Sequence, residues 1–98
     1  MQLQDLKSQL TLVFPVRIDC EERRENLRVV LRQLDGLGCR MLVLEADAVP
    51  ALGDEAWPDG VEYTFVEDAS TVFHRTRYIN ELLRMAGTEV VGVWDTDV

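Results

Sequence analysis

Short apolar runs that alternate with longer stretches of helical periodicity leave this chain few ways to fold. The runs cover residues 11–16, 40–45, 61–66 and 89–94 and are rich in Val, Leu and aromatic residues. Each is short and rich in strand formers, and the later three lie close to Gly, Pro or acidic residues, so each predicts a strand. In the first, Pro15 cannot donate to a central ladder and is expected to end the pairing. Between the first two runs Leu27, Val30, Leu31 and Leu34 recur at i, i+3, i+4 and i+7 with arginines and glutamates between them. That spacing predicts a helix over 20–35, opened by Asp19 and Glu22 in the manner of a capping box and stopped by Gly36 and Gly38. A second helix is predicted from Ser70 or Thr71 to about Gly87, with Ile79, Leu82, Leu83 and Ala86 as its buried stripe. A short amphipathic helix is expected over residues 1–9, where Leu3 and Leu6 lead to Leu10 at helical spacing.

Residues 47–60 hold Pro50, Gly53, Pro58 and Gly60 among acidic residues, which is loop composition, with Trp57 packing its ring onto the body. Strands separated by crossovers predict an α/β fold, a three-layer Rossmann-like parallel sheet of order 3-2-1-4 in one domain of 98 residues. The run over residues 61–66 alternates apolar and polar residues, with Val61, Tyr63 and Phe65 on one side, and is expected at an edge.

In a parallel α/β sheet ligands bind outside the carboxyl ends of the strands. Those ends carry Arg17 and Asp19, Glu45 and Asp47, Glu67 and Asp68, and Asp95 and Asp97. In extended chain Asp95 and Asp97 project to one side, about 6.5–7 Å apart along the backbone. Paired hard oxygen donors of that kind suit Mg²⁺ or Mn²⁺ with a phosphate as a further ligand. Arg17, Arg75 and Arg77 could meet such a phosphate, the last two at a helix amino terminus. A strand that simply exits into solvent through acidic residues is the plainer reading of an isolated D-x-D, and a solvated helix face with Arg77 beside Glu81 is the plainer reading of the arginines.

Several chemistries drop out. Neither G-x-x-x-x-G-K-S/T nor G-x-G-x-x-G follows the first strand, which removes the P-loop and dinucleotide readings. With His74 the only histidine and no nucleophile elbow, a catalytic triad has no basis. The net charge of -8 argues against a nucleic-acid partner. Cys20 and Cys39 lack metal spacing and read as reduced thiols, which with no signal-like leader suggests a cytoplasmic protein, peripheral membrane attachment through a further part being left open.

Pro15-Val-Arg17, Phe73-His-Arg75-Thr-Arg-Tyr-Ile-Asn80 and Val93-Trp-Asp95-Thr-Asp97 resemble, in that order, the amino-terminal motifs of nucleotide-sugar glycosyltransferases of the GT-A fold. The likeness is nearest to the β-1,4-galactosyltransferase and chondroitin-polymerase type, whose motifs read P-F-R, F-N-R-A...L-N and D-V-D, and it covers about residues 11–98. The resemblance implies a truncated GT-A fold that binds a nucleotide-sugar donor, probed most simply as uridine diphosphate (UDP), with Mn²⁺ or Mg²⁺ as cofactor. It implies that Arg17, Phe73 and Arg75 contact the nucleotide, that Asp95 lies near ribose and metal, and that Asp97 ligates the metal; Glu45 is a weaker carry-over, an acid against base or ribose. Departures are His74 where those enzymes have Asn, Val16 where they have Phe, and Asp19 where an Arg is common. The acceptor site, for a carbohydrate or other hydroxyl, and the catalytic base would lie beyond Val98. A chain ending there is expected to transfer no sugar and to pair its open fourth strand with a second copy as a homodimer. Readings from other classes are an acidic, Toprim-like phosphoryl-transfer site, a non-catalytic nucleotide-binding module and, least well matched, a receiver-like regulatory domain.

Overall fold

A computed structural model describes residues 9–88 and 90–94. The element order is β1 (Leu10–Val16), α1 (Glu21–Asp35), β2 (Arg40–Asp47), β3 (Val61–Glu67), α2 (Arg75–Ala86) and β4 (Val90–Val93). The strands form one all-parallel sheet of order β3-β2-β1-β4, compatible with a Rossmann-like fold. The expected order is therefore observed, with β3 at an edge. The amphipathic helix expected over residues 1–9, like Asp95 and Asp97, falls outside the described residues apart from Gln9.

Strand pleating divides the core in two. Leu12, Phe14 and Val16 of β1 and Met41 and Val43 of β2 share one buried cluster with Leu27 and Leu31 of α1. Residues of opposite parity, Val13 of β1 with Leu42, Leu44 and Ala46 of β2, pack against Tyr78, Leu82 and Ala86 of α2. The period-2 alternation of each central strand thus feeds both faces, which is why β1 and β2 read as almost unbroken apolar runs.

β2 and β3 are parallel neighbours, so residues 48–60 must cross the sheet, and they do so without a helix. The crossing lies on the α1 face, where Leu52 is fully buried and Trp57 packs against the same cluster. The Trp57 ring stacks on Tyr63 at 5.1 Å between centroids, in line with its expected packing. From outside, Arg28 of α1 grips Glu55 of the crossing through two hydrogen bonds of 2.5 and 3.1 Å. That fork holds the Glu55 carboxyl below its usual range and the Arg28 guanidinium above its own.

Four expectations are corrected. Pro15 does not end β1, because backbone groups alternate sides along a strand. The Val13 carbonyl faces β4, where it accepts from the Trp94 amide at 2.9 Å, so the Pro15 nitrogen faces the same way, past the last described bond to β4, while β1 continues against β2 to Val16. At the start of α1 it is Cys20, not Asp19, that occupies the N-cap, without a side-chain cap; Asp19 instead pairs with Arg23 at 3.3 Å. α2 begins at Arg75, several residues later than expected. Its stripe is Tyr78, Leu82 and Ala86, while Leu83 is 45% exposed and Ile79 only partly buried. The helix ends at Gly87, whose φ of 65° is the left-handed conformation that glycine adopts without strain.

β4 lies close against β1. A Cβ added to Gly92 would stand 2.9 Å from Leu12 Cδ2, so the absent side chain leaves room for Leu12 to lie across the strand. Among the described residues no helix is long and apolar enough to cross a membrane. The phase of α2 is testable by urea denaturation. Leu82→Ala, at a fully buried site, should lower stability by about 2–5 kcal/mol, and Leu83→Ala should change it by less than about 1 kcal/mol.

Candidate functional site

Arg17 leaves the carboxyl end of β1 and reaches across the rim. Its Nε donates to the Ala46 carbonyl at 2.8 Å, Nη1 to the Ser70 carbonyl at 2.7 Å and Nη2 to the Asp68 carbonyl at 3.2 Å. Its guanidinium carbon lies 5.6 Å from the centre of the Phe73 ring, a cation–π distance. Phe73 in turn stacks on Tyr78, 5.5 Å between centroids. The Tyr78 hydroxyl closes the circuit by donating to the Asp68 carboxylate, which also accepts from the Ser70 amide at 2.9 Å. Arg17, Asp68, Ser70, Phe73 and Tyr78 therefore form one ring of contacts joining β1, the end of β2 and the segment between β3 and α2.

This ring explains the late start of α2. The Asp68 side chain caps the Ser70 amide in an Asx turn, an alternative to helix that Asp and Ser offer readily. Arg17 then binds the Asp68 and Ser70 carbonyls, so residues 68–74 wrap around the guanidinium before the helix begins. The hydrogen bonds from Ser70 and Tyr78 hold the Asp68 carboxyl far below its usual range. Burial, and then the bond to Asp68, push the Tyr78 hydroxyl up.

Two helix amino termini open on this rim, and they differ in sign. α1 carries Glu21 and Glu22 in its first turn, which repel an anion. α2 has no acidic residue in its first turn and carries Arg75 and Arg77 there. An open depression of about 430 Å³ is lined by Phe73, His74, Arg75, Thr76 and Arg77. Of the two termini, that of α2 suits a phosphate group.

Glu45 is elsewhere. It shares its parity with Met41 and Val43, so its side chain points to the α1 face and is fully buried beneath the β2–β3 crossing. Its carboxylate accepts from the Ala51 amide at 2.9 Å, the Leu52 amide at 3.2 Å and the Tyr63 hydroxyl at 2.5 Å. A buried charge is tolerated only with such donors. The structure thus brings Arg17, Phe73 and Arg75 to one side of the rim and turns Glu45 inward as the anchor of the crossing. This departs from the place against base or ribose that the resemblance implied.

Asp95 and Asp97 lie outside the described residues. Trp94, the residue before them, is bonded to Val13, three residues before Val16 at the end of β1. Among the described residues no group of three His, Cys, Asp or Glu side chains could hold a metal ion. The sequence marks Asp68 only as one of the strand-end acids of the rim and gives Ser70 and Tyr78 no site role. The Asp-x-Ser spacing of an Asx turn was the available signal. No family model, curated protein or solved structure matches the chain.

The two tyrosines make the fold sensitive to alkali. Burial, and then the bond to Glu45, push the Tyr63 hydroxyl up, as burial does Tyr78. A raised pKa gives stability that is complete below the unfolded value of about 10 and is lost as pH rises through the higher folded value. Thermal melts between pH 7 and 12 should show Tm falling above about pH 10. Tyr63→Phe should melt lower at pH 7 and lose less between neutral and alkaline pH.

Proposed function

We propose that this chain contributes the donor-binding part of a metal-dependent nucleotide-sugar glycosyltransferase of the GT-A fold, one that takes a nucleotide diphosphate sugar such as a UDP-sugar. The observation that carries the reading is the adjacency of β4 to β1 in a parallel sheet of order 3-2-1-4, with an acid-free, arginine-bearing helix terminus on the same rim. A diphosphate lying there would have Arg75 and the α2 amino terminus beside it, and the Asp95-Thr-Asp97 motif, which follows β4 in sequence, would supply ligands for the metal. Phe73 offers an aromatic face beside them.

The hard oxygen donors of Asp95 and Asp97 fit Mn²⁺ or Mg²⁺, and such an ion would stabilise charge on the leaving diphosphate. In the transfer itself the acceptor hydroxyl oxygen bonds to the anomeric carbon as the bond to the diphosphate breaks. The hydroxyl proton passes to a general base. Phe73 and Arg75 hold the donor in place for that step.

The acidic phosphoryl-transfer alternative is less well supported, because it requires a strand-end glutamate open to a metal beside β4; Glu45 is fully buried with three internal donors, and Glu67 ends β3 at the opposite edge of the sheet from β4.

Calorimetry with UDP, with and without Mn²⁺, tests the proposal. UDP should bind more tightly with the metal. Asp97→Ala should abolish the metal-dependent part, and Arg75→Ala should weaken UDP about tenfold while leaving metal binding in place. Equal UDP binding with and without Mn²⁺, unchanged in Asp97→Ala, would overturn it.

A further inference from the structure

We propose that Arg17 is a positioning residue that acts on a ligand through Phe73, and that it makes no direct contact with the nucleotide. Its three kinds of nitrogen are each directed at a backbone carbonyl, those of Ala46, Ser70 and Asp68. Those carbonyls belong to two different stretches of chain, so the guanidinium fixes the segment of residues 68–74 relative to the end of β2. The Phe73 ring lies against the same guanidinium and also stacks on Tyr78. Arg17 thereby sets both the height of Phe73 over the rim and the point at which α2 begins.

Geometry makes this a task for arginine. The acceptors are neutral carbonyls approached from three directions in one plane, which the rigid guanidinium fork matches. A lysine ammonium could reach one or two of them and would present no planar face to the Phe73 ring. The circuit through Asp68 and Tyr78 is made of this chain's own groups and adds a second contact to Phe73. Preorganisation of this kind lowers the cost of ordering a site on binding.

The inference that Arg17 acts on UDP rests on the proposed function, whereas the ordering of residues 68–74 does not, and two measurements keep them apart. The first is amide hydrogen exchange on the unliganded protein. Arg17→Lys and Arg17→Ala should each speed exchange of the Ser70 and Arg75 amides by about tenfold or more. The amides of Leu42 and Leu44, in the middle of the sheet, should stay as protected as before, which also shows that the variants fold. Unchanged exchange at Ser70 and Arg75 in both variants would overturn the proposal without reference to any ligand.

The second is a double-mutant cycle on UDP affinity with Mn²⁺ present, using Arg17→Lys and Phe73→Ala. If Arg17 acts through Phe73, Arg17→Lys weakens UDP in the parent protein and weakens it no further once Phe73 is gone. Additive losses, or a smaller salt dependence of UDP binding in Arg17→Ala that persists in the Phe73→Ala background, would mark a direct phosphate contact and overturn it. Failure of the parent protein to bind UDP would remove the proposed function, and the exchange rates at Ser70 and Arg75 would then decide by themselves whether Arg17 orders residues 68–74.

Discussion

Placing β1 between β2 and β4 is the constraint on which the rest of the structure depends. A strand paired on both sides and covered on both faces must be apolar at nearly every position, and β1 is buried from Thr11 to Val16. Its two neighbours are parallel to it, so their carboxyl ends point the same way and share a rim. The one polar side chain buried within it, Thr11, is satisfied by the Thr88 hydroxyl at 2.7 Å, just before β4. Hydrophobic burial therefore decides where the polar residues gather, before any of them makes a contact.

Two polar groups then shape the loops. Glu45 draws the helix-free crossing onto the α1 face by accepting from its amides, and Arg17 draws residues 68–74 onto the rim by donating to their carbonyls. Each meets its backbone partners through several hydrogen bonds at once. Both follow from the pleat: the residue after a strand, or the last inward-facing residue of one, is where charge can meet the backbone of a returning loop. The same rule leaves the amino end of α2 to the arginines, since Asp68 is already engaged with Ser70 and Tyr78.

The order of elements was legible because it rests on run length, glycine placement and local periodicity. Leu27 and Leu31 are buried on α1 as their spacing implied. Spacing alone could not fix the phase of α2, since Tyr78 and Ile79 are both apolar enough to lead the stripe, and the burial of Tyr78 depends on a bond to Asp68 in another segment. The late start of that helix has the same origin in contacts with Arg17, 53 residues distant from Ser70 in sequence. Glu45 was recognisable as a strand-end acid, and its parity with Met41 and Val43 held the information that it faces inward. The proposed metal ligands, Asp95 and Asp97, are known from the sequence alone, and the described structure adds the strand that precedes them.

The central claim is that β4 lies beside β1, so that the carboxyl end of β4 falls on the rim shared with Arg17 and Phe73. A scalar coupling measured by NMR across the hydrogen bond between the Trp94 amide nitrogen and the Val13 carbonyl carbon tests it most directly. The account predicts a detectable coupling, a slowly exchanging Trp94 amide and cross-peaks between Leu12 and Gly92 of the kind parallel strands give. A Trp94 amide that exchanges freely, with no coupling to Val13 and no contact between Leu12 and Gly92, would contradict it.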